Sequence, residues 1–381
     1  YICFGIALFG AMGVAMAANF FTLFIFYEIL TLSTYPLVAH KGDAAAKKGG
    51  RIYLITLVGA SICLLLPGLI GVFAFAGTTE FIPGGVLAGK VDPITASVLL
   101  VLIVFGTGKA ALMPIHFWLP RAMVAPTPVS ALLHAVAVVK AGVFTLLKVS
   151  AFTFGPEVMQ SAPATQYLLW LAAFSVVAAS LVALRKDELK ARLAWSTVGQ
   201  LAYITSAALL ASGTAIAGGG VHMLTHAYGK ITLFMCAGAI YVATGYKYVS
   251  QLRGLGRQMP ILFLALLAAA LSVTGLPPFG GMWSKYMLIT SAFELGQHVT
   301  AWALIASSLL SAAYLVPIAI IALMPPAGAP YQPAEIRAEP MVRLAVTALT
   351  VTAIGSFLLF FLADPVAARL SAIGLPAGGV E

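Results

Sequence analysis

Lys109-Ala110-Ala111-Leu112-Met113-Pro114-Ile115-His116 holds a lysine, a proline and a histidine inside a run that is otherwise apolar from about 93 to 119. A helical run of that length crosses roughly 30 Å of hydrocarbon. Proline lacks the amide hydrogen that a helix interior needs, and its ring clashes with the preceding turn. The run is therefore predicted to be a broken membrane helix, with Lys109 about one and a half turns before the break, close to carbonyls that the break frees.

The rest of the chain supports a membrane setting. Of 381 residues, 61% are apolar and only 9% charged, and the mean hydropathy is +1.02. A soluble chain carries about a quarter charged residues. Within lipid every backbone polar group needs an internal partner, so spans are helices or closed barrels. No alternation with a period of two is present, which excludes a barrel. Eleven spans are predicted, at about 1–18, 20–39, 51–76, 93–119, 127–150, 164–184, 191–212, 217–244, 260–292, 299–324 and 340–363. Breakers and charges mark the loops, among them Lys41-Gly42-Asp43 and Pro325-Pro326-Ala327-Gly328. Gly218-Gly219-Gly220 reads as a loop entering the eighth span.

The basic residues sort by side. Lys41, Lys47, Lys48, Arg51, Arg121, Arg185, Lys186, Lys190, Arg192, Lys247, Arg253, Arg257, Arg337 and Arg343 collect on one side, and only Lys90, Lys148 and Arg369 on the other. The first group marks the cytoplasmic face. This sorting accounts for the net charge of +9 without nucleic acid, for which no exposed basic domain is long enough. Cys3, Cys63 and Cys236 stand singly in apolar spans and read as small buried hydrophobes, not as cluster or zinc ligands. The chain opens at Tyr1 without Met and is expected to be the remainder of a longer protein.

The ninth span repeats the oddity of the fourth. It carries Gly275-Leu276-Pro277-Pro278-Phe279-Gly280-Gly281, so it too is expected to break, at Pro277 and Pro278 as the fourth does at Pro114. The two stand five spans apart. A five-helix unit repeated once comes out inverted, and paired broken helices in inverted halves point to a transport site near the midplane. The expected fold is all-α: a polytopic transmembrane bundle of two inverted five-helix repeats. Residues 1–150 form the first unit, 151–325 the second, and 326–381 a C-terminal transmembrane helix and tail.

Five ionisable residues fall within spans: Glu28, Lys109, Lys140, Lys230 and Lys285. Each costs about 2.5–3.5 kcal/mol at mid-bilayer, so each should face the bundle interior. Structural ion pairing and snorkelling to the interface are the plainer explanations. Proton relay is the functional one, since a lysine can release its proton where an arginine cannot. His222, His226 and Lys230 follow at i, i+4 and i+8 on one helical stripe. His134 precedes Lys140 by six residues. Imidazoles pass protons near neutral pH. His116 is a relay candidate or a polar plug. His40 and His298 read as solvated loop residues. No dinucleotide fingerprint, phosphate loop or hydrolase motif is found.

These residues resemble a known family. Lys109 through Pro120, Ala125-Pro126-Thr127-Pro128-Val129-Ser130-Ala131-Leu132-Leu133-His134, and Val139-Lys140-Ala141-Gly142 are similar to the signature of the antiporter-like subunits of respiratory complex I, Mrp cation/proton antiporters and membrane-bound hydrogenases. Asp187 through Gln200, His226-Ala227-Tyr228-Gly229-Lys230 and Gly275 through Gly281 fit as well. The resemblance implies that Glu28 pairs with Lys109 in a first half-channel, that Lys140 bridges onward, that Lys230 with His226 is the centre of the second half, and that Lys285 is its terminal ionisable group. Relatives usually carry three more helices upstream.

The expected function is translocation of protons, coupled to Na+ or K+, by a D-type subunit of a multi-subunit Mrp antiporter in the cell (inner) membrane. An antiporter-like subunit of an NADH:quinone oxidoreductase or hydrogenase is the alternative, and an inactive scaffold the third. Partners are other membrane subunits and lipid, with no nucleic acid. No cofactor or metal is expected, and no redox or hydrolytic site in this chain.

Overall fold

All regular elements among the described residues are helices, and the computed structural model describes residues 1–324 and 340–371. The loop Pro325–Gly328, Arg337 and the chain after Ser371 lie outside the described residues. The order is α1 (Ile2–Met16), α2 (Phe20–Val38), α3 (Ala44–Ala60), α4 (Leu66–Ala76), α5 (Pro93–Gly106), α6 (Trp118–Arg121), α7 (Thr127–Ala131), α8 (Val138–Val149) and α9 (Gly155–Ser161). Then follow α10 (Pro163–Arg185), α11 (Leu189–Leu210), α12 (Gly213–Thr244), α13 (Leu255–Gln258), α14 (Pro260–Thr274), α15 (Gly281–Glu294), α16 (His298–Leu323), α17 (Pro340–Phe361) and α18 (Ala363–Ser371). Among the described residues, eight helices are long and apolar enough to cross a membrane, counting the run from α3 to α4 and the run from α7 to α9 as one each. Three shorter apolar helices, α1, α5 and α14, supply the other predicted spans. The chain is a multi-pass membrane protein.

Local chemistry sets several helix ends differently from the expected boundaries. The third span begins at Ala44 instead of 51, because the Asp43 carboxylate accepts the Ala46 amide at 2.6 Å and caps the helix. Gly218–Gly220 is not a loop. Ser212 caps α12 through the Ala215 amide at 3.1 Å, and the three glycines lie inside the helix, where a side chain at Gly219 meets Ala207 and Leu147. Asp92 caps α5, and the Thr95 hydroxyl and the Thr95 and Ile94 amides hold its carboxyl below the ordinary carboxylate range. Of the cysteines only Cys236 is buried; Cys63 is exposed and Cys3 partly so.

Both proline-bearing helices are broken. The first stops at Gly106, well before Pro114, and passes through short 3-10 turns at Gly108–Ala110 and Ile115–Phe117 before α6. The break begins there because the backbone crosses the π-helical turn Ser61–Leu65 so closely that any side chain at 106 meets Leu65. The second break runs from Gly275, in the left-handed region at φ 88°, to α15. Gly281 there lies against the Ser272 carbonyl, again with no room for a side chain.

Apolar helices in lipid gain little by burying apolar surface, so close approach of small residues and interhelical hydrogen bonds hold them. Ser180 and Ser307 join α10 to α16 at 2.8 Å. Tyr314 donates to Ser196 at 2.9 Å, joining α16 to α11. Trp118 is fully buried, donates to the Gly108 carbonyl at 3.0 Å and meets Tyr53 edge-on. Large apolar side chains such as Phe9, Ile55, Ile94, Trp302 and Leu309 face outward.

The basic loops meet at one end of the bundle. Lys190 donates to the Met123 and Ala125 carbonyls at 2.9 and 2.8 Å, and Glu188 bridges to Tyr248. A cavity of about 1320 Å³ there is lined by Lys41, Lys48, Arg121, Lys190 and Lys247 above apolar walls. At the other end Lys148 donates to the Ala17 carbonyl at 2.6 Å and Lys90 to that of Ala76 at 2.9 Å. The two ends thus match the two groups of basic residues.

Candidate functional site: a line of buried lysines and histidines

Lys109 lies in the break itself, on the 3-10 turn, and is fully buried. Gly142 of α8 lets that turn pack directly on the helix, since a side chain there meets the Lys109–Ala110 backbone. The Lys109 ammonium donates to the Tyr27 carbonyl at 2.7 Å and to the Thr31 hydroxyl at 2.6 Å. It also stands over the Tyr27 ring, 3.0 Å from the centroid. The Tyr27 hydroxyl in turn accepts the Lys109 amide at 3.2 Å.

The expected Glu28–Lys109 ion pair is not formed. Successive helix residues point about 100° apart, so with Tyr27 and Thr31 turned to Lys109, one helical turn apart, Glu28 is turned aside. Its Oε1 is buried without a hydrogen-bond partner. The carboxylate acts on Lys109 through space only.

Lys140, two residues before Gly142, reaches across to α12, where its ammonium meets Nδ1 of His226. The His226 ring stacks on His222, with centroids 6.1 Å apart. His222 Nδ1 bonds the Ser284 hydroxyl at 2.9 Å, and its other face stacks on Tyr203 at 5.3 Å. Ser284 precedes Lys285 on α15. The Lys285 ammonium reaches back across the break to the Thr274 carbonyl at 3.0 Å and sideways to the Ser308 hydroxyl at 2.9 Å. It lies 4.7 Å from the centroid of the Tyr203 ring.

Lys230 stands on the same stripe and donates to the Leu193 carbonyl at 3.1 Å. His134, in a π-helical turn between α7 and α8, is fully buried against Phe234. Both its ring nitrogens lack protein partners, as do Nε2 of His222 and of His226. His116 stands apart: it is half-buried, near the Pro114 carbonyl and the Trp195 ring. His40 and His298 are exposed.

The structure therefore brings Lys140, His226, His222 and Lys285 into one line, with Lys109 packed at its start and Lys230 and His134 beside it. Among the described residues none of the four buried lysines has a carboxylate within ion-pairing distance; carbonyls, hydroxyls, an imidazole and two tyrosine rings surround them. Tyr27, Thr31, Tyr203, Ser284 and Ser308 were not singled out in the sequence. The spacing of Tyr27 and Thr31 at i and i+4 on one apolar helix is the only signal they carry there.

Comparison with known proteins agrees with this geometry. Residues 17–311 match the family described as NADH:quinone oxidoreductase/Mrp antiporter, transmembrane. The N subunit of the NADH-quinone oxidoreductase of Desulforudis audaxviator (strain MP104C) is 34% identical over 320 residues, covering 82% of this chain and 62% of that one. A probable K(+)/H(+) antiporter component of Rhizobium meliloti (strain 1021) is 33% identical over 295 residues, covering 76% of this chain and 29% of that one. The chain thus spans under two thirds of the length of either relative. A chain of the Mrp complex from Dietzia sp. DQ12-45-1b superposes with a TM-score of 0.84 over 98% of this chain and 77% of that one, at 22% identity, a likeness of fold.

Proposed function

The chain belongs to the NADH:quinone oxidoreductase/Mrp antiporter transmembrane family, and from that premise we propose that it moves protons across the membrane through its line of buried lysines and histidines. In this reading it is one of the subunits of an Mrp-type antiporter that exchanges protons for Na+ or K+. Residues 1–150 and 151–325 act as two inverted half-channels that meet between α8 and α12.

The contact between Lys140 and His226 carries the reading, because it joins a group of the first unit to one of the second. A proton leaving the Lys140 ammonium for Nδ1 of His226 produces a neutral amine and an imidazolium. The imidazolium is then free to lose a proton from Nε2, which faces no protein partner. Unpartnered buried nitrogens of this kind are where ordered water binds. Through such water His222 is next, beside Ser284 and Lys285. Each transfer leaves the donor ready to accept the next proton.

The test uses the assembled complex in everted vesicles, with an acidified interior and a pH-sensitive dye. Addition of Na+ or K+ should collapse the pH gradient, and Lys140→Ala should abolish that response at normal subunit levels. A full response in the variant overturns the reading. The similarity to the N subunit of an NADH-quinone oxidoreductase favours a second reading, in which redox chemistry in other subunits drives the same line. There, NADH or another electron donor, and not a cation gradient, would generate the pH gradient.

A further inference from the structure

A buried ammonium that lacks a carboxylate must be held by something else, since an unpaired charge is costly away from water. Lys109 and Lys285 solve this in the same way. Each ammonium takes one main-chain carbonyl, Tyr27 or Thr274, and one hydroxyl, Thr31 or Ser308. Each also faces an aromatic ring, that of Tyr27 at 3.0 Å and that of Tyr203 at 4.7 Å. Both tyrosines are fully buried. Tyr27 lies on α2 and Tyr203 on α11, which are the second helices of the two five-helix units. A ring face attracts a cation through its quadrupole, and more strongly when both are desolvated. A neutral amine gains no such attraction.

We propose that Tyr27 and Tyr203 are paired positioning residues, whose ring faces seat the ammonium groups of Lys109 and Lys285 while those lysines carry a proton and let them go once it has left. The proposal rests on the transport reading above. A seat that grips only the charged form couples protonation to side-chain position. Proton loading then draws the lysine to its carbonyl and hydroxyl, and unloading frees it to swing. Other groups act on the same lysines. Glu28 acts on Lys109 from α2, with Tyr53 of α3 next to Tyr27. His222 and Lys230 of α12 face Lys285, and Tyr314 of α16 lies near Tyr203. None of these places a ring over either ammonium.

The test separates ring electrostatics from packing. In the assembled complex, Tyr27 is replaced by phenylalanine, then by phenylalanine carrying one, two and three ring fluorines. The series keeps the ring's shape and progressively removes its negative face. Transport is measured from pH 6 to 10 in vesicles, alongside Lys109→Ala. The expected result is a stepwise shift of the alkaline limb toward neutral pH, roughly one to one and a half units across the series. The same series at Tyr203 should shift likewise. Where phenylalanine prevents assembly, fluorinated tyrosines replace it. A pH profile that does not respond to fluorine overturns the seat. If Lys109→Ala itself transports normally, the transport reading fails instead.

Discussion

The ammonium of Lys140 faces Nδ1 of His226, and that contact bridges α8 and α12, the helices at which the two five-helix units meet. Lys140 is buried among apolar residues of α8, and His226 belongs to the stripe that continues to His222. An ammonium donating to Nδ1 requires that nitrogen to be unprotonated, so the His226 proton is on Nε2 whenever Lys140 is charged. His226→Phe keeps the ring and removes both nitrogens. It is expected to lower transport at least a hundredfold at normal assembly, and Lys140→Arg is expected not to restore it, since guanidinium holds its proton. Transport within a few fold of wild type in the His226 variant would place the path elsewhere.

Glu28→Gln should disable transport and leave assembly intact. The carboxylate lies in an apolar helix with Oε1 buried and unpartnered, close enough to act on Lys109 without bonding to it. Its role is therefore electrostatic, and glutamine removes the charge while keeping the shape. The measurement is cation-driven pH change in everted vesicles, with subunit levels determined in parallel. Near-normal transport would sink the link between Glu28 and Lys109.

Lys109→Ala and Lys109→Arg should separate folding from transport. Alanine removes the bonds to the Tyr27 carbonyl and Thr31 hydroxyl and leaves a cavity, so subunit levels should fall. Arginine keeps the charge, and levels should fall less. Both should abolish transport. An arginine variant that transports well would make Lys109 a fixed counter-charge.

Lys285→Ala should stop net transport as fully as Lys109→Ala, and the double variant should be no worse than either alone. Sites that act in series are non-additive in this way. Lys285→Glu should keep partial activity with a shifted pH optimum, because a carboxylate can also carry a proton. Full activity of Lys285→Ala would leave α14–α16 as scaffold and confine the path to Glu28, Lys109 and Lys140.

Gly106→Ala tests the break. A methyl group at 106 meets the Leu65 backbone, which cannot swing away as a side chain can. The expected cost is about 1–3 kcal/mol or more, read as a clear loss of assembled protein and of thermal stability in detergent. Gly59→Ala, where a methyl group meets nothing, is the control and should be neutral. Equal stability of the two variants would mean that the close crossing is not required.

Long apolar runs, the sorting of basic residues and the two proline-bearing spans determined the helical class, the span order and the two breaks. These are local properties: a run of about twenty apolar residues has nowhere to go but the bilayer, and a proline stops a helix wherever it falls. Chain spacing alone also put His222, His226 and Lys230 on one stripe. What Lys109 touches was not local. The sequence resemblance paired it with Glu28, but the rotation of α2 presents Tyr27 and Thr31 to it, and that rotation depends on how α2 packs against α1 and α3. The contact of Lys140 with His226 joins residues 86 positions apart, and the Tyr203 ring reaches Lys285 from a different helix. No pattern along the chain specifies such meetings, because they follow from how closely glycines such as Gly106, Gly142 and Gly281 let neighbouring backbones approach.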